Sequence, residues 1–215
     1  MSKPYTEADF SSQITEDRNW RIKEISDLKT AARRADEYLR NVLLRSLVTI
    51  AYAHWEGYVR FSAKKFLEHV ALRKIRYADL DRQFFRNYFL PRLSALSTSK
   101  TSLSERCSLV DEILISSDHR FSRVNDDLVN TKANLNSEVF ADICLVCGID
   151  PKPFESNGTF IDVVILKRRN SIAHGEDTLV DFDDLDSIAN GVIDLMRAFG
   201  DALENRVVMQ TYRAA

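Results

Sequence analysis

With 215 residues and no Pro/Gly/Ser-rich linker, the chain reads as one domain over 1–215. Six glycines and four prolines favour helices, and no run approaches the ~18 apolar residues a transmembrane helix needs. A net charge of −2 excludes nucleic-acid binding by bulk charge excess, and three cysteines, an odd number, argue against a disulfide framework.

The polar start, MSKPYTEADF, has no signal-peptide core, so a cytoplasmic protein with free thiols is expected. A first amphipathic helix is predicted over 6–28, with Phe10, Ile14, Ile22, Ile25 and Leu28 on its apolar side. From 31 to 70 there is no proline, and apolar residues recur every three or four positions. One long helix of roughly 60 Å is predicted, bent near Gly57. A shorter helix over 77–96 should stop or bend at Pro91, and the polar run at 94–102 reads as an exposed loop. Ser102 with Glu105 makes a capping box that opens a helix through Val110, Ile113 and Leu114. The stretch 117–136 carries no clear periodicity.

Asn136 then starts a helix that Gly148 ends, with Pro151 and Pro153 as a stop. Thr159 with Asp162 should cap the next helix, FIDVVILKRRNSIAH, and Gly175 sits where a left-handed cap belongs. Asp181 with Asp184 opens a last helix carrying Leu185, Ile188, Val192, Met196, Phe199 and Leu203 on its apolar side. The fold class is therefore all-α, an up-and-down helical bundle with additional helices.

The segment Lys167-Arg168-Arg169-Asn170-Ser171-Ile172-Ala173-His174 resembles the R-x4-H motif of the HEPN superfamily, in the form Arg-Asn-x-x-x-His. Its place at the end of the penultimate helix fits that resemblance. So does Tyr52-Ala53-His54-Trp55-Glu56-Gly57, which is similar to a segment of the toxin-like bacterial branch, the MAE-type HEPN-like nucleases. The resemblance implies a metal-independent, cofactor-free endoribonuclease, usually a homodimer, often encoded with an antitoxin or within phage defence. It also implies that Arg169 and His174 are catalytic. Where some members carry a modifiable tyrosine two residues after the histidine, this chain has Glu176.

The residue types suit that chemistry. Attack by the RNA 2′-hydroxyl needs a group that exchanges a proton near neutral pH and a cation for the charge growing on phosphorus. Histidine changes charge near pH 7, and arginine presents a permanent fork to phosphate oxygens. Arg169 is assigned to the phosphate, His174 to general acid or base, Asn170 to orienting the imidazole, and Lys167, Arg168 and Glu56 to substrate binding. On a straight helix Arg169 points about 140° away from His174. Either the arginine curls back, or the site is composite across a two-fold axis.

Blander readings compete. Arg169 and His174 can serve structure alone, Glu56 can be a core salt bridge to an arginine of the motif, and His54 a packed core histidine. Cys144 and Cys147 form a lone CxxC expected to pack rather than hold a metal. The stretch 60–92 holds nine Lys and Arg (Arg60, Lys64, Lys65, Arg73, Lys74, Arg76, Arg82, Arg86, Arg92) against Glu68, Asp79 and Asp81. By default it is a solvated face, and beside the motif it would attract RNA phosphates. Phe84, Phe85, Tyr88 and Phe89 read as core. The alternative to an active nuclease is a catalytically silent RNA- or protein-binding HEPN subunit.

Overall fold

A computed structural model describes residues 3–98 and 101–214. Helix α1 (Glu7–Arg34) begins at a capping box, in which the Thr6 hydroxyl accepts from the Asp9 amide (3.0 Å) and the Asp9 carboxylate accepts from the Thr6 amide (2.8 Å). Asp36 then caps α2 (Glu37–Leu72) through the Leu39 amide. The boundary between α1 and α2 therefore falls at 35–36, inside the predicted long helix, because Asp36 gives the backbone a stronger partner than continued helix would. The remaining 36 residues of α2 run unbroken through Gly57, about 54 Å in length. Gly57 makes room for a guanidinium. A Cβ there would lie 2.6 Å from Arg21 Nη1.

Helix α3 (Arg82–Thr98) carries Pro91 inside it and continues past it, so 94–98 are helical rather than loop. The rest of the predicted loop includes Ser99 and Lys100, which lie outside the described residues. The Ser102 and Glu105 capping box opens α4 (Leu103–Ile115) as expected. Residues 116–136 form short 3-10 turns and loop. Asn136 caps α5 (Ser137–Val146), and Gly148 follows with φ +68°.

The motif-bearing segment starts as a π-helix, Phe160–Lys167, and passes directly into α6 (Arg168–Ala173). Thr159 does not cap it, since its backbone is already helical. Asp162 instead accepts from the Ser137 amide (2.7 Å) and hydroxyl (2.6 Å), pinning the start of α5. The last helix, α7 (Asp184–Val208), also lacks the expected side-chain cap. The carboxylate of Asp184 is taken by Arg168.

Cross-helix pairs fix the topology. Phe10 meets Phe66 and Arg21 meets Gly57, so α1 and α2 are antiparallel. Arg18 to Asp201 and Lys29 to Asp186 make α1 and α7 antiparallel. Arg169 to Glu56 and Arg45 to Asp177 run α6 against α2. These four form an up-and-down bundle, and α3 to α5 are inserted between its second and third members. Trp55, Tyr52, Tyr58, Phe140 and Phe199 fill its centre. Phe84 and Phe89 are buried as expected, whereas Tyr88 is 38 % exposed. Cys144 and Cys147 pack in the core, and burial pushes the Cys144 thiol up to about 12. Among the described residues no helix is long and apolar enough to cross a membrane.

Candidate active site

One face of α2 supplies the floor. Tyr38, Val42, Arg45, Thr49, Tyr52 and Glu56 follow at spacings of four and three, and so form a stripe along one side of the helix. Helix α6 lies against the end of that stripe that carries Tyr52 and Glu56. The guanidinium of Arg169 sits over the Tyr52 ring, 4.2 Å from its centroid, where the negative ring face attracts it. Its Nη2 is 3.8 Å from Glu56 Oε2, and its Nη1 donates to Asn170 Oδ1 (2.8 Å) and Asn134 Oδ1 (3.2 Å). The arginine keeps 25 % of its side chain exposed, so one side remains open to solvent.

A loop that no periodicity announced closes the other side. Thr131, a buried residue, donates to Glu56 Oε1 at 2.6 Å. The Leu135 amide donates to the Tyr52 hydroxyl oxygen at 2.7 Å. Burial, with the Glu56 charge adding to it, pushes the Tyr52 phenol up to about 12, so the ring is neutral under Arg169. Thr131 and Asn134 are the site residues that sequence reading missed. Their only signal was composition, an Asn/Thr-rich stretch suited to side-chain hydrogen bonds.

His174 is the last residue of the α6 turn, with φ −85° and ψ 5°. Its amide donates to the Asn170 carbonyl (3.0 Å), and Gly175 follows at φ +79°. That left-handed glycine reverses the chain as predicted, with the Glu176 amide returning to the Ser171 carbonyl. The imidazole is exposed and makes no hydrogen bond to any described residue. Arg45 anchors the turn beyond it, donating to the Glu176 carbonyl (3.0 Å) and lying 3.4 Å from Asp177 Oδ1.

The structure thus brings Arg169, Asn170 and Glu56 together and leaves the His174 side chain without a hydrogen bond to any of them, at the end of the same helix. The Asn170 side chain accepts from the arginine and makes no hydrogen bond to the imidazole. Glu56 forms a part-exposed ion pair with a motif arginine, its second oxygen held by Thr131. Arg168 turns away to Asp184 (2.6 Å), and Lys167 is exposed beside it. His54 is a packed core residue, 2.8 Å from Glu24 and edge-on to Trp20. Among the described residues no group of three or more His, Cys, Asp or Glu is placed to hold a metal ion.

The family model described as RiboL-PSP-HEPN matches residues 16–205, which includes both helices of the site and its closing loop. No curated protein and no solved structure matches the chain.

Proposed function

The chain belongs to the RiboL-PSP-HEPN family, and from that premise we propose that it is a metal-independent endoribonuclease acting as a homodimer, with Arg169 and His174 as catalytic residues. The observation that carries this reading is a half-open guanidinium and an unpartnered imidazole on one short helix. His174 takes the proton of a ribose 2′-hydroxyl, and the freed oxygen attacks the adjacent phosphorus. The bond from phosphorus to the 5′-oxygen then breaks, and that oxygen receives a proton from an imidazolium. A 2′,3′-cyclic phosphate and a 5′-hydroxyl result. Arg169 offsets the charge gained by the non-bridging oxygens, and removal of such a donor costs about 10²-fold or more in rate. Deoxyribose lacks the nucleophile, so DNA is not a substrate. Single-stranded or looped RNA, whose backbone can align for in-line attack, is.

The exposed His174 side chain, with no hydrogen-bond partner among the described residues, supports a site completed by a second copy. Large apolar residues on α2 and on the connection after the motif are exposed: Tyr38 by 85 %, Leu179 by 76 %, and Val42 and Phe182 to a lesser degree. Exposed apolar surface of this kind favours association. In the cell this activity suits the toxin of a toxin-antitoxin or phage-defence system, with a cognate antitoxin protein as partner. Growth arrest on expression, relieved by His174→Ala, tests that role.

One observation favours a second reading, a HEPN subunit that binds RNA or protein without cutting. Glu56, Asn134 and Asn170 already hold Arg169 within its own chain. Incubation with labelled RNA in EDTA separates the two. The nuclease gives cyclic-phosphate ends with the wild type and none with Arg169→Ala or His174→Ala. Binding without cleavage by the wild type, or cleavage that needs a divalent ion, refutes the nuclease.

A further inference from the structure

Beyond the Glu56 and Thr131 contact, the groove between α2 and the loop widens into a cavity of ≈ 700 Å³. Arg60, Phe61 and Lys64 line it from α2, and Asp126, Asn130 and Lys132 from the loop. Glu56 and Thr131 line it too, so the cavity begins where the Arg169 site ends. In a chain of net charge −2, its lining holds Arg21, Arg60, Lys64 and Lys132 against Glu56 and Asp126.

The commitments of these cations differ. Arg21 is tied to the buried Asp17 at 2.7 Å and shapes the wall only. Lys64 pairs with Asp126 at 2.7 Å, both exposed enough for solvent to screen the pair. Lys132 reaches Asp142 only at 3.9 Å, with 65 % of its side chain exposed. Arg60 is exposed and has no hydrogen-bond or ion-pair partner among the described residues. Lys132 is also held at φ +55°, an uncommon backbone for a non-glycine residue, and the Asn130 side chain secures it there by accepting from its amide at 2.7 Å. The loop thus holds its cation in the lining of the same cavity as Arg60. The half-buried ring of Phe61 lines the same cavity, with Lys65 Nζ 5.8 Å from its centroid. Cations that track a backbone beside an aromatic platform are the chemistry of a single-stranded nucleic-acid groove.

We infer that this cavity holds the RNA strand on one side of the cut, with Arg60 and Lys132 contacting successive phosphates and Phe61 stacking a base. The inference rests on the nuclease reading and adds to it the track by which substrate reaches Arg169. None of the three is a catalytic residue, because the cleaved phosphate lies on the far side of Glu56.

The test measures binding of a fluorescent single-stranded RNA oligonucleotide to full-length His174→Ala protein across a salt series, beside cleavage by the wild type. Arg60→Gln and Lys132→Gln each weaken binding and flatten the plot of log K against log salt by about 0.7, and together by about 1.4. Phe61→Leu weakens binding and leaves the slope unchanged. Arg86→Gln, in a separate cavity near the C-terminus, changes neither. Wild-type cleavage with an unaltered slope in the Arg60 and Lys132 variants overturns the track alone. A slope that follows Arg86 instead also overturns it. Absence of both RNA binding and cleavage overturns the track and the nuclease reading together.

Discussion

Arg169 owes its position to three other side chains and to the ring beneath it, so the effect of each substitution can be reasoned separately. Thr131→Val removes the hydrogen bond that fixes Glu56 Oε1 and leaves a half-buried carboxylate oxygen without a partner. A bond to a charged group is worth about 1.5 kcal/mol or somewhat more, so the variant should lose about that much in denaturant unfolding. Glu56→Gln keeps the shape and the Thr131 bond but removes the charge opposite Arg169. Its ion pair is 3.8 Å long and part-exposed, so the stability change should stay below about 1 kcal/mol. The same substitution should leave Arg169 less constrained, and RNA cleavage should move more than unfolding does. A parallel loss of both would make Glu56 a purely structural residue. The partners of Glu56 were half legible in the sequence: a carboxylate among Trp55 and Tyr58 on a buried helix needs a cation, and a motif arginine was the nearest candidate. Thr131 and Asn134 were not legible. They act from a loop whose placement depends on tertiary hydrogen bonds rather than on periodicity.

At the level of elements, the strongest signals were amphipathic spacing and capping chemistry, and they failed where two helices abut. Asp36 is flanked by good helix formers, so periodicity ran across the α1–α2 junction. Pro91 misled in the other direction, since α3 passes through it. The π-helix was invisible for a related reason: its wider hydrogen bonding, from residue i to i+5, reflects packing rather than propensity. Phe160 at its start lies against Gly191 of α7, where an added Cβ would come within 2.4 Å of the ring. Gly191→Ala should therefore destabilise the protein by about 1–3 kcal/mol despite alanine's better helix propensity. Because the π-helix leads directly into α6, the variant should also lower cleavage. A stabilised Gly191→Ala protein would show that Phe160 yields easily and that the π-helix does not depend on this contact.

Across the whole molecule, two buried histidines on α2 set a pH dependence separate from catalysis. Burial lowers the pKa of both His54 and His69 below the ordinary 6.5, against the opposing charges of Glu24 near His54 and of Glu7 and Asp9 near His69. As pH falls through about 6.5 the unfolded chain binds protons that the folded chain refuses, so stability is full above that value and declines below it. Thermal midpoints should drop between about pH 7.5 and about pH 5.5, and the drop should shrink in His54→Gln and His69→Gln. An unchanged slope in both variants would locate the effect elsewhere. The bundle itself was legible because α1 and α7 carry apolar stripes and α2 buries most of its second half, whereas the short α6 buries no residue of its own. The proposed pairing of two such bundles was suggested by the family resemblance and by the awkward angle between Arg169 and His174.

That angle makes pairing testable in solution, because two inactive proteins can share one good site. Arg169→Ala and His174→Ala, each silent alone in EDTA, should regain about a quarter of wild-type RNA cleavage when refolded together in equal amounts, since half the dimers are mixed and each mixed dimer holds one intact arginine–histidine pair. A mixture as silent as its components, or cleavage by His174→Ala alone, would contradict an arginine and a histidine meeting on one phosphodiester across the pair.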